Sequence, residues 1–146
     1  MKIAAVDYGL NIGLAIAEFS NGELKCVHLG THYDADEEVA AKIIDEKCNF
    51  VVLEDPPYST LGGSANSFYT ILEALKSEGY EESFLSKTFL AKKGIARYSP
   101  GIWKPIVQTL QPDLSAWNPK TQHEKDAMGI MWYALRTILK QEVKYV

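Results

Sequence analysis

A chain of 146 residues, 47% hydrophobic and 23% charged, carries about one domain's worth of material and enough apolar side chain for a packed core. Fifteen Lys/Arg against nineteen Asp/Glu give a net charge of −4, which excludes binding of nucleic acid by bulk positive charge but leaves room for a local basic patch. No stretch approaches the ~18 apolar residues of a membrane span, and the opening MKIAAVDYG lacks the order of a signal peptide.

The first third reads as strands. Lys2–Asp7 is a short apolar run, Asn11–Phe19 a second, and Glu23–Leu29 a third with rough alternation. Tyr8-Gly9-Leu10 and Ser20-Asn21-Gly22 have tight-turn chemistry, so three antiparallel strands joined by hairpins are predicted. Asp34 to Lys47 reads as a helix capped by Asp34, with Glu37 three residues on and Val39, Ile43 and Ile44 sharing a face. Phe50–Glu54 (FVVLE) is a buried strand ending on an acid, followed by a Pro-Pro turn and a Gly-containing loop, Ser59–Gly63.

Ala65, Phe68, Ile71, Leu72 and Leu75 keep helical spacing as far as Gly79. That apolar face suits either the core or a partner copy. Phe84–Lys93 reads as a helix closed by Gly94, and Ile95–Tyr98 as a brief strand. Ser99-Pro100 starts another helix, with proline at its first position. The last helix opens at Thr121, where T-x-x-E with Glu124 forms a capping box, and Ala127, Ile130, Met131, Ala134, Leu135 and Ile138 form its apolar stripe. Strands followed by alternating strands and helices predict an α/β domain over residues 1–146, a mixed sheet flanked by helices. Cys26 and Cys48 are too few for a disulfide scaffold and read as buried thiols, which sets the expectation of a soluble, cytoplasmic protein.

Three carboxylates fall at the ends or inner faces of core elements. Asp7 ends the first strand, Glu54 ends FVVLE, and Asp126 lies in the second turn of the last helix beside its apolar stripe. An acid at the rim of a core costs several kcal/mol to desolvate unless it is paired. Any one alone would be an ordinary cap or ion-pair partner. Three together, with no basic residue near Asp7 or Glu54 in sequence, call for a divalent cation as counter-charge. A pair of such ions hydrolyses phosphodiesters. His123, three residues before Asp126, shares its helix face and suits a second metal ligand or a base; a solvated helix-start histidine is the plain alternative.

These residues carry a family resemblance. VDYGLNIGLAIAEF resembles the opening of RuvC-type Holliday junction resolvases, and VVLEDPPYSTLGGSANS their catalytic Glu followed by a proline-rich DNA-entering loop. RYSPGIWKPIV is similar to their Ser-Pro-x-x-x-Lys segment, and HEKDAMGIMWYAL to their terminal helix. The pieces occur in family order across nearly the whole chain. The resemblance implies an RNase H-like fold, three antiparallel strands followed by parallel ones. It also implies a homodimer and Mg²⁺- or Mn²⁺-dependent endonucleolytic cleavage of four-way DNA junctions in recombination and repair, with two ions per site. It maps catalysis and metal binding onto Asp7, Glu54, His123 and Asp126, with Lys104 as a supporting base. The aromatic after the catalytic Glu is Tyr58, with Pro57 where family members often carry the wedge, and QTLQPDLSAWNPKT replaces a longer glycine- and lysine-containing stretch. A short, phage-like or divergent member fits these departures.

Charge is segregated. Asp34 to Glu82 holds twelve acids and three bases, whereas Ser83 to Pro112 holds five bases and no acid. Lys87, Lys92, Lys93, Arg97 and Lys104, with Tyr58, are therefore the candidate DNA-binding residues. Trp117, Trp132 and Tyr133 read as core or interface, His28 and His32 as structural or surface residues, and Glu124 as a cap only. A second enzyme reading is the YqgF type of RuvC-like nuclease acting on structured RNA, ranked lower because LEDPPYS is not its Asp-Glu-Arg motif. A non-catalytic nucleic-acid-binding module on the same fold is a third. Actin-like and sugar-kinase ATPases also open with a strand-ending Asp and glycines, but they need a second domain, so no nucleotide cofactor and no membrane partner is expected.

Overall fold

The computed structural model describes residues 1–56, 63–82 and 93–146. Seven strands form one sheet: β1 (Lys2–Asp7), β2 (Asn11–Ser20), β3 (Glu23–Tyr33), β4 (Phe50–Glu54), β5 (Glu81–Glu82), β6 (Gly94–Tyr98) and β7 (Lys144–Tyr145). Among the described residues, four α-helices flank it: α1 (Asp36–Asp45), α2 (Gly63–Ser77), α3 (Pro100–Leu110) and α4 (Gln122–Leu139). The sheet order is β5-β6-β4-β1-β2-β3-β7. β1, β2 and β3 pair antiparallel, and β4, β5, β6 and β7 join parallel to their neighbours. The expected mixed sheet is present.

Period-two alternation sorts the central strands onto two faces. Ile3, Ala5, Ala15, Ala17, Phe50 and Val52 pack against the stripe of α4, while Ala4, Val6, Leu14, Ile16, Val51 and Leu53 pack against α1 and α2. Because both faces are covered, β1 and β4 are apolar almost throughout instead of alternating with polar residues. Phe68, Ile71, Leu72 and Leu75 of α2 are buried in the second of these clusters, which settles that face as core and not as a partner surface. Trp117 and Trp132 are buried in the first. An exposed apolar row lies instead on α3, at Ile102, Ile106 and Leu110.

Several local expectations change. Asp34 does not cap α1; it sits at φ 47°, and the cap position is Ala35, with no side-chain bond. The hairpin strand β3 runs four residues beyond Leu29, to Tyr33. Cys48 is buried but Cys26 is exposed, because β3 lies near the sheet edge, where β7 pairs only with Glu23 and Leu24. The two-residue strands β5 and β7 carry no signal of their own. The helix expected over Phe84–Lys93 lies, but for Lys93, outside the described residues, as does most of the Ser59–Gly63 loop. Among the described residues, no helix is long and apolar enough to cross a membrane.

Candidate active site

Register places the first two acids. β1 and β4 run parallel, with Val6 opposite Leu53, so their carboxyl ends finish side by side and deliver Asp7 and Glu54 to one edge of the sheet. Asp7 shares the face of Ile3 and Ala5, and Glu54 that of Phe50 and Val52, so both acids face α4. Each is almost fully buried, at 5% and 8% exposure.

The helices bring the rest. Thr121 caps α4, its hydroxyl accepting from the Glu124 amide at 3.1 Å. Glu124 does more than complete a box: its carboxylate accepts from the Lys120 amide at 3.1 Å and from the Thr31 hydroxyl at 2.9 Å, tying the start of α4 to β3. At that junction β2 carries Gly13, where an added Cβ would stand 2.0 Å from the His123 carbonyl oxygen. The helix start therefore rests directly on the β2 backbone. This seating sets His123 Nδ1 3.0 Å from Asp7 Oδ2. One turn on, Asp126 accepts from the Gln122 side-chain Nε2 at 2.8 Å and stands 3.8 Å from Lys104 Nζ.

Opposite Glu54, β6 ends at Tyr98 and turns through Ser99 into α3. The fully buried Trp103 of α3 donates its indole N–H to Glu54 Oε2 at 2.8 Å. Gly129 of α4 gives that ring room, since a Cβ there would stand 3.1 Å from it. Sequence reasoning missed Trp103 and Gln122. Trp103 is 49 residues from Glu54, and only the β4–β6 register joins them.

Electrostatically the cluster lacks positive charge. Burial pushes the Asp7 carboxyl up, as does the charge of Asp126, while the His123 bond opposes them. Burial first and the Asp7 charge second push Glu54 up to about 7, against the weaker pull of Lys104 and the Trp103 bond. Between about pH 4.5 and 7 Glu54 therefore holds a proton in the folded chain that it has lost in the unfolded chain, so its contribution to stability falls as pH rises through that window. We expect Glu54 to contribute a loss on the order of 3 kcal/mol from the acid to the alkaline side. Thermal unfolding in EDTA across that range checks it, and Glu54→Gln should flatten the slope.

Among the described residues, no three His, Cys, Asp or Glu side chains stand as a ready-made metal shell. The internal bonds give the reason: Glu54 is turned to Trp103, Asp7 to His123, and Asp126 to Gln122 and Lys104. The donor set of buried carboxylate oxygens and one imidazole nonetheless suits a hard divalent cation. The upward push on Asp7 and Glu54 is the mark of a site short of that charge.

The expected DNA-binding residues divide. Arg97 is held by Asp55 at 2.7 Å and Glu82 at 2.9 Å and lies over the Phe68 ring, so its guanidinium braces the chain after β4. Lys93 donates to the Glu78 carbonyl at 3.1 Å and lies over Tyr80. Lys104 borders the acidic cluster. Tyr58, Lys87 and Lys92 lie outside the described residues.

No family model matches the sequence, and no curated protein matches it. The fold does have solved counterparts. RuvC of Thermus thermophilus in complex with Holliday junction substrate superposes with a TM-score of 0.64 over 95% of this chain and 96% of that one, at 14% identity. The T. thermophilus RuvC structure gives 0.58 over 96% and 97%, at 13% identity. The yeast mitochondrial Holliday junction resolvase Ydc2 gives 0.54 over 94% and 81%, at 10% identity. The chain thus has the RNase H-like fold of RuvC-type resolvases, and the likeness read from its motifs holds at the level of architecture.

Proposed function

We propose that this protein is a divalent-metal-dependent endonuclease that cuts branched DNA, four-way junctions in particular, as a homodimer. The observation that carries the reading is the gathering of Asp7, Glu54, Asp126 and His123 from β1, β4 and α4 at one sheet edge, in a fold shared with proteins solved as Holliday junction resolvases. Asp7, Glu54, Asp126 and His123 would hold Mg²⁺ or Mn²⁺. Two such ions supply charge to the scissile phosphate and lower the pKa of an attacking water.

The chain's own residues do the rest. Trp103 fixes one oxygen of Glu54. His123 braces Asp7, and the Glu124–Thr31 bond braces the backbone that carries His123. Lys104, beside Asp126 at the rim, is placed to receive a phosphate. Lys93, with Lys87, Lys92 and Tyr58, would extend the contact along the DNA, whereas Arg97 would have to leave two carboxylates to join it.

The test is cleavage of a synthetic four-way junction beside linear duplex and structured RNA, with Mg²⁺, with Mn²⁺ and in EDTA. Paired symmetric nicks bearing 5′-phosphates, on the junction and only with metal, are expected. Cutting of RNA with the junction left intact would replace this reading with the YqgF-like one. ATP hydrolysis without nicking would end both.

A further inference from the structure

The opposite face of β3 carries a second group of ligand-type side chains that the nuclease reading does not use. His28, Gly30 and His32 pair with Ile16, Leu14 and Ile12 of β2, whose side chains lie in the cluster under α1. The two histidines therefore project on the α1 side of the sheet, away from the acids that face α4. Across Gly30 their Nε2 atoms approach to 3.0 Å, with ring centroids 5.2 Å apart and planes inclined by 38°. A Cβ at position 30 would stand 3.1 Å from His28 Nε2 and 3.5 Å from His32 Nε2, beneath the pair.

Two imidazole nitrogens at that separation match a metal's bite. With metal–nitrogen bonds of about 2.0–2.1 Å, neighbouring ligands stand about 2.9 Å apart at a square-planar corner and about 3.3 Å apart in a tetrahedron. We propose that His28 and His32 form a two-histidine site for a borderline divalent transition ion, Cu²⁺, Ni²⁺ or Zn²⁺, with water completing the coordination. Both rings are only partly buried, which leaves those positions open to solvent. No third His, Cys, Asp or Glu joins them among the described residues.

The surroundings suit a neutral imidazole ligand. Burial, then Lys42 of α1 and His32, hold His28 below its usual range, while Glu46 of α1 and Glu124 of α4 pull the other way. Neutral rings are the form that binds metal. With both rings neutral and no ion bound, the 3.0 Å contact would be a single N–H from one Nε2 to the other. Binding moves that proton to the ring's Nδ1, so both Nε2 lone pairs face the ion and no net proton is released. An ion here would clamp residues 28–32, the stretch whose Thr31 secures Glu124 from the other face.

The proposal does not rest on the nuclease reading, and its test separates the two. The full-length protein, in excess Mg²⁺ to occupy hard-oxygen sites, is titrated with Cu²⁺, Ni²⁺ and Zn²⁺ separately. One ion per chain is expected, with Cu²⁺ tightest and its EPR spectrum showing two equivalent nitrogens. At a free ion concentration about 100-fold above Kd, the unfolding equilibrium constant should fall about 100-fold. His28→Gln and His32→Gln should each weaken binding about tenfold or more. The double variant His28→Gln/His32→Gln should bind no more weakly than either single one beyond about twofold, because the pair acts as one site, while circular dichroism verifies the fold. Asp7→Asn should leave the affinity unchanged. Binding that survives His28→Gln or His32→Gln alone would show that the rings act singly as surface histidines, and the proposal would fall. Absence of binding, or its loss in Asp7→Asn alone, would overturn it equally.

Discussion

Asp7→Asn is expected to abolish junction cleavage while leaving junction binding intact or stronger. Asp7 is the member on which the cluster converges. It bonds His123 at 3.0 Å, and its charge is the largest influence on Glu54 after burial. A metal's stabilisation of a phosphoryl transition state is worth several kcal/mol, so a site unable to hold its ions should lose about 10³-fold or more in rate. The asparagine keeps the shape and removes one of the crowded negative charges. Without metal, the variant should therefore melt no lower than the parent above pH 7, because burial of the carboxylate is what raises its pKa. Its negative field at the site is also smaller, so phosphate backbones are repelled less. Single-turnover nicking and gel-shift affinity, measured on the same preparation, check both halves. A folded variant that cut at the parental rate would remove Asp7 from the mechanism and with it the proposed chemistry.

The second large effect is expected from a methyl group. Gly13→Ala would put Cβ 2.0 Å from the His123 carbonyl oxygen and 2.5 Å from its carbonyl carbon. Both are backbone atoms, so no rotamer change relieves the overlap and α4 must lift from β2. A loss above about 3 kcal/mol is expected, since overpacking a well-filled contact typically costs 1–3 and this one cannot repack. Any folded fraction should have His123 displaced from Asp7 and cut poorly. Gly101→Ala in α3 is the matched control: nothing lies within 4 Å of its added Cβ. In a helix it should be neutral or stabilising by up to about 1 kcal/mol. Thermal unfolding of the two variants side by side decides it. Equal melting temperatures would mean that the α4 start is not seated on β2.

What could be read in advance followed the physics of periodicity. β1, β4 and the stripe of α4 are legible because burial on two faces, or on one helical face, leaves apolar spacing that few other arrangements produce. Asp7 and Glu54 stand out because an acid ending such a strand lies at odds with its neighbours. Thr121 and Glu124 announce a helix start. The remainder depends on contacts between distant segments. Nothing near Glu54 signals that Trp103 will donate to it, and nothing near Glu124 signals Thr31 of β3. Asp34 was the natural cap for α1, yet the chain passes through a left-handed conformation there and begins the helix two residues on. The five bases without an acid between Ser83 and Pro112 suggested a uniform basic patch; acids from outside that stretch neutralise Arg97 in three dimensions.

The bond between Asp7 and His123 spans 116 residues, from the first strand to the last helix. Contacts of such separation form late, because the loop they close must be ordered before they return any stability. A chain that has not yet added α4 lacks His123 and Asp126 and leaves the face of Ile3, Ala5, Phe50 and Val52 uncovered, so that half of the site is still unmade. On the proposed reading, cleavage would switch on only when α4 docks, and partly synthesised or partly unfolded chains would be harmless to DNA. Turnover would then report the docking of α4. In a refolding experiment, recovery of activity should lag the return of strand signal and coincide with burial of Met131 and Leu135 against the sheet.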